Sequence, residues 1–168
     1  GGNAMAGLTT GDNNTAVGAL ALDAAVTVDS NVAVGAYALS ALTSGKDNVA
    51  VGRGAMQTNV AGADNVAIGH QSQYTGNGQY YCTSVGWKSL YDITDGQGNI
   101  AMGYDGGRAI TTGNNNVALG IYSMGGTNAK TGDDNTCVGT NSGNDLSSGE
   151  NNSIIGSAAG AAMTSGSN

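Results

Sequence analysis

The sequence predicts an all-β or β-rich solenoid of nine rungs, and three observations carry that expectation. First, the pentapeptide Asn-Thr-Ala-Val-Gly that ends at Gly18 returns in variant form ending at Gly35, Gly52, Gly69, Gly86, Gly103, Gly120, Gly139 and Gly156. The step is 17 residues throughout except for 19 between Gly120 and Gly139, and a fixed period in this range marks a repeat architecture. Second, the 168 residues include 30 glycines and 19 asparagines but no proline and no phenylalanine. A globule of this length gathers aromatics and leucines around one centre, whereas this chain offers mostly alanine and valine. Third, counting back 17 from Gly18 lands on Gly1, so one repeat domain spans 1–168. The pattern is already running at Gly1, which predicts a piece of a longer fibrous protein.

Each element of the rung follows from its column. Asparagine heads the pentapeptide in eight of nine repeats, at Asn14, Asn31, Asn48, Asn65, Asn99, Asn116, Asn135 and Asn152. Stacked amides of this kind can bond one another in a ladder, and a turn residue bonding its own backbone is the plainer alternative. Next come a mostly β-branched residue, a small residue and an apolar residue, which reads as a three- to four-residue strand of period two. The glycine lets the chain bend or pass close to a neighbour. Small residues recur three positions later (Ala21, Ala38, Ala55, Ser72), followed by Leu or Met (Leu22, Leu39, Met56) and often an apolar residue three further on (Leu42, Ile93, Ile110). These offsets suit a short turn or a helical turn. A Gly followed by Asp or Asn then leads into the next rung.

At about 4.8 Å per rung the nine coils make a rod about 40 Å long. The interior of such a coil is expected to hold a few Ala and Val side chains, thin burial against about 1.5 kcal/mol of entropy per ordered residue. A lone chain is expected to be marginal. Several chains around one axis would bury a further apolar column, so an obligate homo-oligomer is expected, a trimer first.

The run Asn-[Thr/Val]-Ala-[Val/Ile]-Gly-x-x-Ala-Leu with a following Thr-Gly-Asp/Asn-Asn resembles the repeats of bacteriophage tail fibres. It is also similar to the head repeats of trimeric autotransporter adhesins, which carry Asn-Ser-Val-Ala-Ile-Gly. The resemblance covers essentially the whole chain. It implies a homotrimeric β-roll, intertwined or side by side, in an extracellular protein of a virion tail fibre or a bacterial surface. The partners it implies are further copies of the chain and a host surface glycan or outer-membrane protein. The 17-residue period matches the fibre-type repeat, and the adhesin repeat is shorter, which favours a phage fibre shaft or receptor-contacting region over a surface adhesin head.

Charge and motifs exclude much else. Five Lys and Arg against twelve Asp and Glu give a net charge of −7, which argues against nucleic acid or an anionic membrane as partner. No apolar run approaches the roughly 20 residues of a membrane span, and no signal peptide opens the chain. Charged residues make up only 10%, too few for a disordered acidic tail. Cys82 and Cys137 lack metal or redox spacing and stand about 14 Å apart along the axis, beyond disulfide reach. The only histidine is His70, no GxGxxG occurs, and Gly45-Lys46 leads into Asp47, not the Ser or Thr of a phosphate loop. Neither an enzyme nor a cofactor is expected. A depolymerase would need a carboxylate pair facing a groove, and the adjacent Asp133 and Asp134 do not oppose each other. Calcium is a lesser alternative through Asp47, Asp64 and Asp133, with Asp12, Asp29 and Glu150 near the same rung position. Ice binding is another, through Thr9, Thr43, Thr94, Thr111 and Thr164, a column that Val26, Val60, Asn77 and Ser147 interrupt.

Departures from the repeat are the better functional candidates. Six of eight aromatics fall in one stretch: Tyr74, Tyr80, Tyr81, Trp87, Tyr91 and Tyr104. There Cys82 also replaces the ladder Asn, and Gln73 replaces Leu. Exposed Tyr and Trp stack on sugars or anchor partners, and bracing a bulge or an oligomer contact is the structural alternative.

Overall fold

The structure, a computed structural model, describes residues 2–25 and 27–167. Gly1, counted above as the start of the pattern, and Val26, an interruption of the threonine column, lie outside them. Each pentapeptide forms one three-residue strand. These are β1 (Thr15–Val17), β2 (Val32–Val34), β3 (Val49–Val51), β4 (Val66–Ile68), β5 (Thr83–Val85), β6 (Ile100–Met102), β7 (Val117–Leu119), β8 (Thr136–Val138) and β9 (Ser153–Ile155). They form one parallel sheet in chain order, a β-solenoid. Register follows the repeat without slippage: Val17 pairs with Val34, Val34 with Val51, Val51 with Ile68 and Ile68 with Val85. The 19-residue step is absorbed outside the strands, for Leu119 still pairs with Val138.

The strand valines turn outward, which corrects the expectation of an interior of Ala and Val. Period two sends the middle residue to one face and both flanking residues to the other. Ala33, Ala50, Ala67, Ala101 and Ala118 are fully buried. Their neighbours form two columns on the outer face, one mixed (Thr15, Val32, Val49, Val66, Thr83, Ile100, Val117, Thr136, Ser153) and one apolar throughout, where Val17 is 56% exposed, Met102 46% and Ile155 73%. Bulk inside the coil comes instead from Leu22, Leu39, Met56, Leu90 and Met124, joined by Leu42, Ile93, Ile110 and Leu146.

Between the glycine and that interior column the chain makes tandem turns, and no helix is present among the described residues. The offsets that suit a helical turn arise differently. Tyr37 and Leu39 have φ of 62° and 50°, so alternate peptide planes are flipped. The Tyr37 N–H therefore donates back to the Ala19 carbonyl (2.9 Å), while the Leu39 N–H donates forward to that of Ala55 (3.0 Å). Inter-rung bonding replaces the intrahelical pattern.

The asparagines form the expected ladder inside the coil. Asn48 Nδ2 donates to Asn31 Oδ1 at 3.0 Å, and Asn65 Nδ2 to Asn48 Oδ1 at 3.1 Å. The ladder resumes with Asn116 on Asn99 (3.2 Å), Asn135 on Asn116 (3.0 Å) and Asn152 on Asn135 (2.9 Å). At the gap, the Cys82 N–H still reaches Asn65 Oδ1 at 3.0 Å, and its thiol donates to the Gly96 carbonyl at 3.4 Å. Burial pushes that thiol up to about 11, so it is protonated at neutral pH.

Two apolar clusters share the interior, one ending at Ala67 and the other beginning at Cys82. Between them the filling is polar: Asn59, Ser72, Gln73, Gln79, Ser84 and Ser89 are all fully buried. Ser72 and Ser84 hydroxyls bond at 2.5 Å, but both side-chain polar atoms of Gln79 lack a partner, as do Asn59 Nδ2 and Gln73 Oε1. Buried amides without partners are costly, and four such atoms gather at this junction.

The longer rung carries a second anomaly. Lys130 occupies the threonine column, since its carbonyl accepts the Thr111 N–H at 3.1 Å, yet its side chain is folded inside at 1% exposure. The ammonium reaches only the Asn128 carbonyl, at 3.3 Å. Burial lowers its pKa to about 8, against an opposing pull from Asp145. Because the folded pKa lies below the ordinary 10.5, this group costs no stability above about pH 10.5. Stability is lost as pH falls towards 8 and stays lost below it, by up to roughly 3 kcal/mol. Lys130→Met is therefore expected to raise the thermal midpoint at pH 7 by several degrees, with the gain over the natural chain shrinking between pH 8 and 10.5. Thermal melts across that range check it. A gain that does not change with pH would contradict the assignment.

Candidate functional site

The repeat converts sequence offset into stacking: residues 17 apart lie one above another on the coil surface. In the column one residue past the glycine this aligns Arg53, His70, Trp87 and Tyr104. Arg53 Nη1 lies 3.4 Å from His70 Nε2, and the His70 ring lies 6.3 Å from Trp87 at an interplanar angle of 10°. Trp87 stacks on Tyr104 at 4.6 Å and 9°, and Tyr104 meets Tyr122 edge-on at 5.4 Å. A second column, five residues past the glycine, aligns Tyr74, Tyr91 and Arg108. Tyr74 and Tyr91 stack at 5.0 Å and 3°, and the Arg108 guanidinium sits 5.7 Å from the Tyr91 centroid. Lys88 links the columns, its ammonium 4.4 Å from the Trp87 ring and 5.0 Å from that of Tyr91.

Four of the six aromatics singled out in the sequence thus form two ladders. Tyr80 and Tyr81 do not join them; they contact each other at 6.2 Å in the turn before β5. Tyr81 is 66% exposed with φ of 60°, in the column that holds Asn13, Ser30, Asp47, Asp64, Asn115 and Asp134, all at left-handed φ. Short polar side chains suit that conformation, and a tyrosine does not. The ladders also recruit Arg53, His70, Lys88, Arg108 and Tyr122. The signal for Arg53, His70 and Arg108 was the 17-residue offset, applied to cations as well as rings, whereas Lys88 and Tyr122 stand one position over.

The rings use their faces on each other. Parallel planes at 4.6–5.0 Å leave the edges of the inner rings, and not their faces, turned outward. This runs against open sugar platforms and agrees with bracing: the stacks bridge the rungs on either side of the polar interior at Gln73 and Gln79. Aromatic pairs of this kind contribute about 0.5–1.5 kcal/mol each.

Acid groups accompany the ladder. Arg108 Nε lies 3.8 Å from Asp92 Oδ2, and Nη1 lies 3.7 Å from Asp105 Oδ2. Burial raises both carboxyl pKa values, opposed by Arg108 and Lys88. Asp105 Oδ1 is buried without a partner.

The other candidates are dispersed. Asp133 Oδ1 accepts the Asn114 N–H at 2.7 Å and its amide at 3.1 Å, and Asp29 Oδ1 accepts the Asp12 N–H at 2.9 Å. These carboxylates tie one turn to the next, while Asp47 and Asp64 stand in the adjacent column. Among the described residues no three His, Cys, Asp or Glu side chains converge as metal ligands. Threonine hydroxyls of the suspected ice-binding column are committed to carbonyls of the next rung: Thr43 donates to Val60 at 3.3 Å, Thr94 to Thr111 at 3.1 Å and Thr111 to Lys130 at 3.3 Å. Among the described residues there is no cleft or cavity, and no helix is long and apolar enough to cross a membrane. Comparison with protein-family models, curated proteins and solved structures finds no match.

Proposed function

We propose that this chain is a structural, host-contacting segment of a phage tail fibre, extracellular and assembled as a homotrimer. The observation that carries the reading is the uninterrupted stack of nine in-register strands. Identical rungs fix length and stiffness, which is what reach beyond a particle requires. The repeat's resemblance to fibre sequences supports the same assignment. Support for association comes from the outer sheet face, where one apolar column runs from Val17 on β1 to Ile155 on β9 with no covering element among the described residues. Exposed apolar area on that scale marks an interface. Contact with the host falls to the one band where the rungs stop being alike, around Trp87. Trp87→Ala with Tyr91→Ala, tested on labelled protein with a panel of bacterial cells, is expected to reduce surface binding at least tenfold while the assembly keeps its mass. Unchanged binding by an assembly of unchanged mass would leave the band a brace and the chain a plain spacer.

A further inference from the structure

Resting on that reading of the band as the contact surface, we infer that its ligand is an anionic polysaccharide, bound along the ring edges by Arg53 and Lys88 in place of sugar faces lying on open rings. Charge distribution makes the first argument. The chain is strongly acidic, yet three of its five Lys and Arg stand on these two columns or, for Lys88, between them. Of the other two, Lys46 lies 3.7 Å from Asp47 and Lys130 is buried. Two of the twelve acidic residues, Asp92 and Asp105, share the band, and the Asp105 side chain is only 5% exposed. The rest of the molecule therefore holds ten acids against two cations, and the band is its one surface with a cationic excess.

Ring orientation makes the second. Stacking at 4.6 and 5.0 Å occupies the inner faces, and Lys88 lies over the Trp87 and Tyr91 rings. The edge of an aromatic ring is the positive part of its quadrupole, and the Trp87 indole and Tyr hydroxyls add N–H and O–H donors. A strip of ring edges and donors on successive rungs, about 4.8 Å apart, flanked by cations on the rungs of Arg53, Lys88 and Arg108, suits a polymer carrying anionic groups along its length. Nucleic-acid bases fit less well, since their recognition by such side chains needs free faces. The absence of a cleft among the described residues agrees with a chain lying along the surface, not a small ligand entering it.

The test measures binding of the full chain to three immobilised probes: polygalacturonate, a phosphodiester-linked teichoic acid and neutral dextran. Binding to either anionic probe, at least tenfold tighter than to dextran, is expected, and the two arms show whether carboxylate or phosphate is preferred. Affinity should fall as salt rises. Arg53→Gln with Lys88→Gln should weaken it at least tenfold, whereas Lys46→Gln should not. Equal binding to dextran, no binding to either anion, or equal loss with Lys46→Gln would overturn the inference. If Trp87→Ala with Tyr91→Ala abolishes cell binding while Arg53→Gln with Lys88→Gln leaves it intact, the contact surface stands and its anionic ligand falls. If neither pair changes cell binding, both fall.

Discussion

Gly35→Ala is expected to destabilise the rod by roughly 3–5 kcal/mol, a drop in the thermal midpoint of roughly 10 °C. Gly35 has φ of +129°, a region that residues with a Cβ rarely enter. An added Cβ would also lie 2.6 Å from the carbonyl carbon and oxygen of Gly52 on the next rung. Those atoms are backbone in a parallel stack, so relief requires prising two rungs apart. Gly78 provides the comparison. No atom lies within 4 Å of its would-be Cβ, and it is not among the positive-φ glycines, so Gly78→Ala is expected to change stability by about 0.5 kcal/mol or less. Thermal melts of the two variants decide it; equal midpoints would contradict the close approach of rungs at the column of Gly35.

Asn48→Ala is expected to cost about 2–5 kcal/mol. Its Nδ2 donates to Asn31 Oδ1 (3.0 Å) and to the Gly62 carbonyl (2.8 Å). Its Oδ1 accepts the Asn65 N–H at 3.2 Å and Asn65 Nδ2 at 3.1 Å. Truncation leaves the Gly62 carbonyl and the Asn65 N–H inside the coil without these partners, and buried orphans carry the full desolvation cost. Asn14, at the end of the ladder and partly exposed, should matter less, because water can replace what its amide supplies. Denaturant midpoints of Asn48→Ala and Asn14→Ala measure the difference. A loss as large at Asn14 as at Asn48 would argue that the asparagines act singly as turn residues and not as a ladder.

Much of this fold was legible because each rung repeats one solution. The spacing of Gly18, Gly35 and Gly52 named the strands, and parallel register then followed, since a one-residue slip would have set Ala33 outside and Val34 inside. What the pattern did not disclose was which face of the strand lies inward. Ala and Val are both apolar, and the decision rests on space: the buried Asn ladder and the Leu39 column fill most of the coil, leaving room beside them mainly for small residues such as Ala33, Ala50 and Ser84, with Ile154 the exception on the last rung. The tandem turns after the glycine were hidden for a related reason. Alternating left-handed residues such as Tyr37 and Leu39 carry no residue signature, because inter-rung hydrogen bonds, not local preference, hold them there.

The aromatic band was half legible. Trp87, Tyr104, Tyr74 and Tyr91 stood out by type, and their pairing followed from the 17-residue offset. The same offset linked Arg53 and His70 to Trp87, but scattered cations draw less notice than rings in an acidic chain. Tyr80 and Tyr81 sit in the same stretch of sequence and still fall outside the ladders, because proximity along the chain matters less here than position within the rung. Lys130 was concealed by the two-residue insertion, which shifts the count and admits a long side chain to the interior.

The proposal of a fibre segment stands or falls most directly on mass in solution. The outer column from Val17 to Ile155 is the surface that a trimer would cover, and the account predicts that light scattering on the purified chain gives about three times 16.4 kDa, with dissociation and unfolding occurring together on heating. A folded, heat-stable species of 16.4 kDa would contradict it.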